Sequence, residues 1–210
     1  MAKTKKSFIE RIKPTGAKDL IRKIILLVCI CVFCYSAYNL ASIFLEYKSM
    51  DDSNKEVEET YVTENTEQKN SYKTIDFEAL LARNSDVKGW IDIPDTKVSY
   101  PIVQGETNDT YIHSDIDKKE FRAGSIFIAS ENKNPFTDLN TVIYGHNMKN
   151  GSMFNNIKSY TEQDFADKHP YVYIYLPDGT VSRYKVVAAH IIPEESLLYN
   201  TGTVSYTHLT

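Results

Sequence analysis

Cysteine is scarce in this sequence, and its positions exclude several kinds of site. The chain has three cysteines among 210 residues, and Cys29, Cys31 and Cys34 all lie in one apolar run. The absence of cysteine from residues 46–210 excludes a disulfide framework and a cysteine-based zinc site there. We interpret the three cysteines as small apolar residues of a helix; palmitoylation or a covalent dimer through them is the alternative.

Other common signals are also missing. Eight glycines and seven prolines exclude a collagen-like or low-complexity chain, and the 42% hydrophobic fraction argues against disorder of the whole chain. The sequence has no glycine-rich phosphate or dinucleotide loop, zinc-protease helix, EF-hand loop or serine-hydrolase elbow. A net charge of −4 without a large basic face argues against nucleic acid as the main partner.

Charge is distributed asymmetrically around one long apolar run. Residues 1–23 carry eight basic and two acidic side chains, and the 22 residues 24–45 carry no charge. At 1.5 Å per residue this run would span roughly 33 Å as a helix, enough to cross a bilayer core. A cleaved signal peptide is the alternative, but no small-residue cleavage site follows the run. We therefore predict a cytoplasmic basic segment at 1–23, a transmembrane signal anchor at 24–45 and an extracellular remainder.

The extracellular part divides by composition at residue 75. Residues 46–74 hold eight acidic and four basic side chains with only sporadic apolar residues, which is typical of a flexible tether. Residues 75–210 have the alternating apolar pattern of a folded domain.

The folded part has the pattern of short strands mixed with short helices. Asp76 is the expected N-cap of a helix at 77–83, and Thr161 that of a helix at 161–168. Met153, Phe154, Ile157 and Tyr160 also have helical spacing. We expect strands at 90–93, 100–103, 124–129, 141–144, 171–176 and 181–192, with 100–103 at a sheet edge because it contains Pro101, and a tight turn at 177–180. The predicted fold is a mostly β barrel or sandwich, mainly antiparallel and decorated with short helices.

His146 is the strongest catalytic candidate among five histidines. It directly follows a predicted strand and Gly145, so it lies at a strand end, where a rigid scaffold supports a functional side chain. An imidazole exchanges protons near neutral pH. His113 and His169 lie in polar loops, and His190 lies in an apolar strand, so we assign them no role.

Several segments, in order along the chain, resemble class B sortases. The segment YGHNM at 144–148, followed by Met153 and Phe154, is similar to the histidine motif of that family. Further similar segments are GWI at 89–91, YPIVQG at 100–105, NDTYI at 108–112 and RAGSIF at 122–127.

The resemblance implies an eight-stranded sortase barrel and a cysteine transpeptidase of the Gram-positive cell surface. Such an enzyme cleaves a sorting motif near the C-terminus of a secreted protein, holds the acyl group as a cysteine thioester and passes it to an amine of the peptidoglycan precursor. By this resemblance His146 is the catalytic histidine, and Asn108, Ile112 and Tyr144 line the groove for the sorting motif. Neither a cofactor nor a metal is implied.

One departure from the family concerns the nucleophile. The family has a cysteine in a T-L-x-T-C-like strand after the region that matches 181–192, and an arginine one strand later; neither is present here. We therefore interpret 75–210 as an incomplete sortase domain that lacks its last strands. A membrane-tethered module that binds sorting signals without catalysis is the alternative function.

Overall fold

The computed structural model describes residues 16–63 and 72–191, which form two compact units that divide between Ser49 and Met50. Helix α1 (Ala17–Tyr61) supplies nearly all described residues of the first unit and continues into the second. Its apolar side chains in the uncharged run are exposed; Phe33, for example, is 73% exposed. By length and composition α1 is able to cross a membrane. The predictions for 1–15, 64–71 and 192–210 lie outside the described residues.

The second unit is built on two sheets. The small sheet pairs β1 (Val62–Thr63) with β2 (Thr74–Ile75). The larger sheet contains β3 (Val87–Asp92), β4 (Ser99–Val103), β5 (Ile126–Ile128), β6 (Ile143–Tyr144), β7 (Tyr171–Tyr175) and β8 (Val181–Lys185).

The larger sheet curls into a half-barrel with the strand order β6-β5-β4-β3-β7-β8. Every neighbouring pair is antiparallel except β4 and β5, so the predicted mostly antiparallel β fold is confirmed. β7 and β8 are joined at the predicted turn, where Gly179 adopts a φ of +84° that favours glycine. β8 ends at Lys185, earlier than the predicted strand, which ran to 192.

Short helices decorate the sheet: α2 (Phe77–Arg83), α3 (Asp109–Ile112), a 3₁₀ helix (Phe154–Thr161) and α4 (Gln163–Lys168). The predicted cap of α2 is confirmed, because the Asp76 carboxylate accepts a hydrogen bond from the Ala79 N–H at 2.9 Å. The predicted cap at Thr161 is wrong. The Thr161 hydroxyl donates to the carbonyl of Lys158 instead, and α4 begins two residues later.

Trp90 lies at the centre of the core and is fully buried. It packs in a cluster that includes Leu80 of α2, Tyr111 of α3, Phe127 of β5 and Val57 of α1. Burial of one such side chain stabilises a fold by about 1.5–3 kcal/mol. The core therefore joins the sheet to α2, to α3 and to the last turns of α1.

The prediction that Pro101 marks an edge strand is wrong. β4 lies between β3 and β5. β5 pairs with β4 only at Ile102 and Val103, so β4 has no pairing partner on that side at Pro101. A proline is therefore compatible with this interior strand because the ladder to β5 starts one residue after it.

The structure also differs from the predicted flexible tether over residues 46–63. α1 continues to Tyr61, with Met50 and Val57 buried. Beyond the undescribed segment, the Lys73 ammonium forms ion pairs with Asp92 of β3 at 2.7 Å and with Glu58 of α1 at 3.2 Å. Burial is the largest single influence and lowers the pKa of Lys73, but the hydrogen bonds and charges of Asp92 and Glu58 together outweigh it, so the pKa of Lys73 is raised. Residues on both sides of the undescribed segment 64–71 therefore contact the larger sheet, Val57 through the core and Lys73 through Asp92.

Candidate active site

His146 follows β6 by two residues and is half-buried. Its Nδ1 lies 3.1 Å from the carbonyl oxygen of Ala123. A carbonyl oxygen only accepts hydrogen bonds, so Nδ1 carries the proton and donates it. In the neutral ring this leaves Nε2 with its lone pair, as a general base requires.

Gly145, directly before His146, packs against Ile126 and Phe154 in a space that a side chain would not fit. A Cβ atom on this residue would overlap Ile126 Cδ1 and would come within 2.7 Å of Phe154 Cδ2. The following loop is closed by a backbone bridge between Asn147 and Met153 and by the Phe154 N–H, which donates to the His146 carbonyl at 2.9 Å. His146 is therefore held by backbone on both sides, by the 121–125 turn and by the base of its own loop.

His113 also lies in the candidate site, although the sequence analysis assigned it no role. It follows α3 directly, and its ring stacks on that of His146 with centroids 5.5 Å apart and planes 24° apart. The available signal was its position immediately after the family-like segment 108–112.

The other two described histidines lie elsewhere. His169 packs on Phe165 and bonds through Nδ1 to the carbonyl of Pro94, and His190 is exposed beyond β8.

Two of the three predicted groove residues, Ile112 and Tyr144, lie on α3 and β6, and Asn108 directly precedes α3. Tyr144 ends β6, two residues before His146, with its ring 5.3 Å from that of Phe127. Ile112 ends α3 beside His113 and is 36% exposed. Tyr144 and Ile112 therefore lie on the two elements that bring His146 and His113 together.

Asn108 directly precedes α3, so it lies four residues, or roughly 6 Å along the helix axis, from Ile112 at the other end. Its side chain accepts a hydrogen bond from the Ser130 N–H at 2.9 Å and donates to the Glu131 carboxylate at 3.2–3.3 Å. The Asn108 amide is thus oriented by the segment that follows β5.

A buried polar network fixes α3. The fully buried Tyr111 donates its hydroxyl proton to Asp86 at 2.8 Å and accepts a bond from Asn84 at 2.7 Å. Burial raises the pKa of Tyr111, so the hydroxyl keeps the proton that it donates. Since a buried polar atom without a partner costs about 1–3 kcal/mol, this network holds α3, and with it Ile112 and His113, in one position.

The site contains no thiol among the described residues. Cys29, Cys31 and Cys34 belong to α1 and to the other compact unit. Within 16–63 and 72–191 no group of three or more His, Cys, Asp or Glu side chains is arranged to hold a metal ion. The chemistry that the site itself offers is proton transfer at His146.

Comparison with known proteins identifies the family of this arrangement. A family model described as the sortase domain matches residues 91–209, more than half of the chain. Sortase B of Listeria monocytogenes is 37% identical over 157 residues, which cover 73% of this chain and 63% of that protein. Sortase B of Staphylococcus aureus is 38% identical over 93 residues, which cover 44% of this chain and 38% of that protein. The chain thus spans less than two thirds of either relative.

Comparison of the structure with solved structures indicates the same family. The crystal structure of sortase B from Bacillus anthracis superposes with a TM-score of 0.54 and 32% sequence identity, over 62% of each chain.

Proposed function

Since this chain belongs to the sortase family, and the relatives that it matches are sortases of class B, we propose that it is part of a sortase B-type transpeptidase. In this proposal the enzyme cleaves a sorting motif in secreted proteins through a cysteine thioester and joins them to an amine of cell-wall peptidoglycan. The observation that carries the proposal is the placement of His146, with Nδ1 bound to the Ala123 carbonyl and Nε2 left for proton transfer.

His146 would act twice in this reaction. A thiolate attacks the carbonyl carbon of the scissile amide, and the C–N bond breaks as protonated Nε2 gives its proton to the leaving amine. The thioester is then attacked by the acceptor amine, which loses a proton to Nε2 as the thiolate departs. The fixed Nδ1–H keeps the same nitrogen aimed at the reacting atoms in both steps.

The sorting motif would bind along α3 and the end of β6. Ile112 and Tyr144 offer apolar contact beside the two imidazoles, and Asn108 offers an oriented amide one turn away. Glu131 and the Ser130 N–H fix that amide, which lowers the entropy lost when a peptide binds to it.

The positions of the cysteines favour a second candidate function. Because all three lie in α1, this chain has the predicted groove and the histidine without a thiol in the same compact unit. A membrane-tethered module that binds sorting signals without cleaving them needs only the groove.

A chimera separates the two functions. Joining residues 1–191 to the cysteine-bearing strands of the Listeria relative should yield a protein that cleaves a sorting-motif peptide and transfers the acyl group to an added amine, as measured by mass spectrometry. The same chimera with its cysteine changed to alanine is the control. A folded chimera that binds the peptide with no thioester or amine product would contradict the enzyme proposal and support the binding module.

We further propose that the protein crosses the cell membrane once, with its N-terminus in the cytoplasm and the sheet outside. The bias of eight basic to two acidic residues before the apolar run motivates this topology. Protease added to intact protoplasts should remove an epitope tag placed after residue 210 and spare one placed before residue 1. Permeabilised protoplasts, which should lose both tags, are the control, and protection of the C-terminal tag in intact protoplasts would reverse the assignment.

A further inference from the structure

The loop at 147–153 connects His146 to the 3₁₀ helix, and the backbone of its last residue, Met153, is strained. Met153 has a φ of 54°, a left-handed conformation that a residue with a side chain rarely adopts. Such a conformation costs free energy and persists only where several surrounding contacts fix it. Met153 is almost fully buried, and its N–H donates to the Tyr100 hydroxyl at 3.0 Å. Part of the support for the closed loop therefore comes from β4.

Further support for the loop comes from α1. Asn54 donates a hydrogen bond to the Met153 Sδ atom at 3.8 Å, a sulfur being a weak acceptor. Asp51 accepts one at 2.9 Å from the side-chain amide of Asn150, at the tip of the loop. The same Asn150 side chain accepts bonds from the N–H and the hydroxyl of Ser152. Asp51 therefore fixes Asn150, whose side chain in turn binds Ser152 within the loop.

We infer that Asp51 and Asn54, on the last turns of α1, are positioning residues for His146 that act through the 147–153 loop. The loop closes on the His146 carbonyl through the Phe154 N–H, so a change in its conformation moves the backbone that carries the imidazole. The functional meaning of this inference rests on the proposed role of His146, whereas the physical coupling does not.

Hydrogen exchange on the full chain in detergent micelles tests the coupling. The double variant Asp51→Ala/Asn54→Ala should speed exchange at the amides of Ser152, Met153 and Phe154. Since one hydrogen bond typically changes an equilibrium by a factor of about 2 to 10, we expect exchange there to be about tenfold faster. The core amides of Trp90 and Ile91, which report global unfolding, should exchange as in the wild type.

Two further variants make the test specific. Asp52→Ala removes a charge from the neighbouring, exposed position of α1 and should leave loop exchange unchanged. Asp51→Asn/Asn54→Ala keeps an oxygen that accepts from Asn150, so its loop amides should exchange more slowly than those of the double alanine variant. Equal loop exchange in the double variant and in Asp52→Ala would overturn the inference, as would acceleration spread evenly over Trp90 and Ile91. Neither outcome depends on sortase activity, so the proposed function is tested separately.

Discussion

His146→Ala should abolish transpeptidation in a protein that carries this chain together with a catalytic cysteine. Loss of a general acid and base typically lowers a rate about 10²–10⁴-fold, and more where the group works as a unit with a nucleophile. The fold should survive because the half-buried ring gives up one hydrogen bond, to Ala123, and a stack on the exposed ring of His113. Turnover of a sorting-motif peptide and the melting temperature should be measured together.

His169→Ala is the matched control for this variant. His169 also bonds through Nδ1 to a backbone carbonyl, that of Pro94 at 3.0 Å, and also packs on another ring, that of Phe165. The two variants therefore remove similar interactions and should have similar melting temperatures, while only His146→Ala loses turnover. Comparable turnover of the two folded variants would contradict the assignment of His146.

Features that depend on a few neighbouring residues could be predicted from the sequence. The Asp76 cap of α2 needs only the N–H groups of the next turn, and the turn before β8 needs only its own residues, with Gly179 at positive φ. The position of His146 was predictable for the same reason, because a strand followed by Gly145 is a local pattern.

Features that depend on distant segments could not be predicted in this way. Residues 46–61 are mostly polar, and their helix is fixed by contacts with partners far along the chain, such as Asn150 and Met153. The stack of His113 on His146 requires α3 and β6 to meet, and 33 residues separate the two rings in sequence. The interior position of β4 depends on where β5 starts to pair with it. In each case the deciding interaction is between residues that sequence periodicity does not connect.

A protein that consists of these 210 residues should show no sortase turnover. Acyl transfer of this kind needs a thiolate beside the imidazole and donors for the developing oxyanion. The three thiols, at Cys29, Cys31 and Cys34, lie in the apolar run of α1 that is predicted to cross the membrane. Hydrocarbon surroundings disfavour a thiolate, which is the reactive form.

The measurement is the intact mass of the full chain after incubation with sorting-motif peptides and an amine acceptor. Sortase B of Listeria monocytogenes should form an acyl adduct with a suitable peptide in the same assay, and a reaction without protein sets the background. We expect this chain to remain at its unmodified mass and to release no peptide fragment above that background. A Ser or Thr near His146 is a poor substitute for the thiol because an unactivated hydroxyl is a weak nucleophile. An adduct on any residue of 72–191 would therefore contradict the requirement for a thiol, and tandem mass spectrometry would identify the nucleophile.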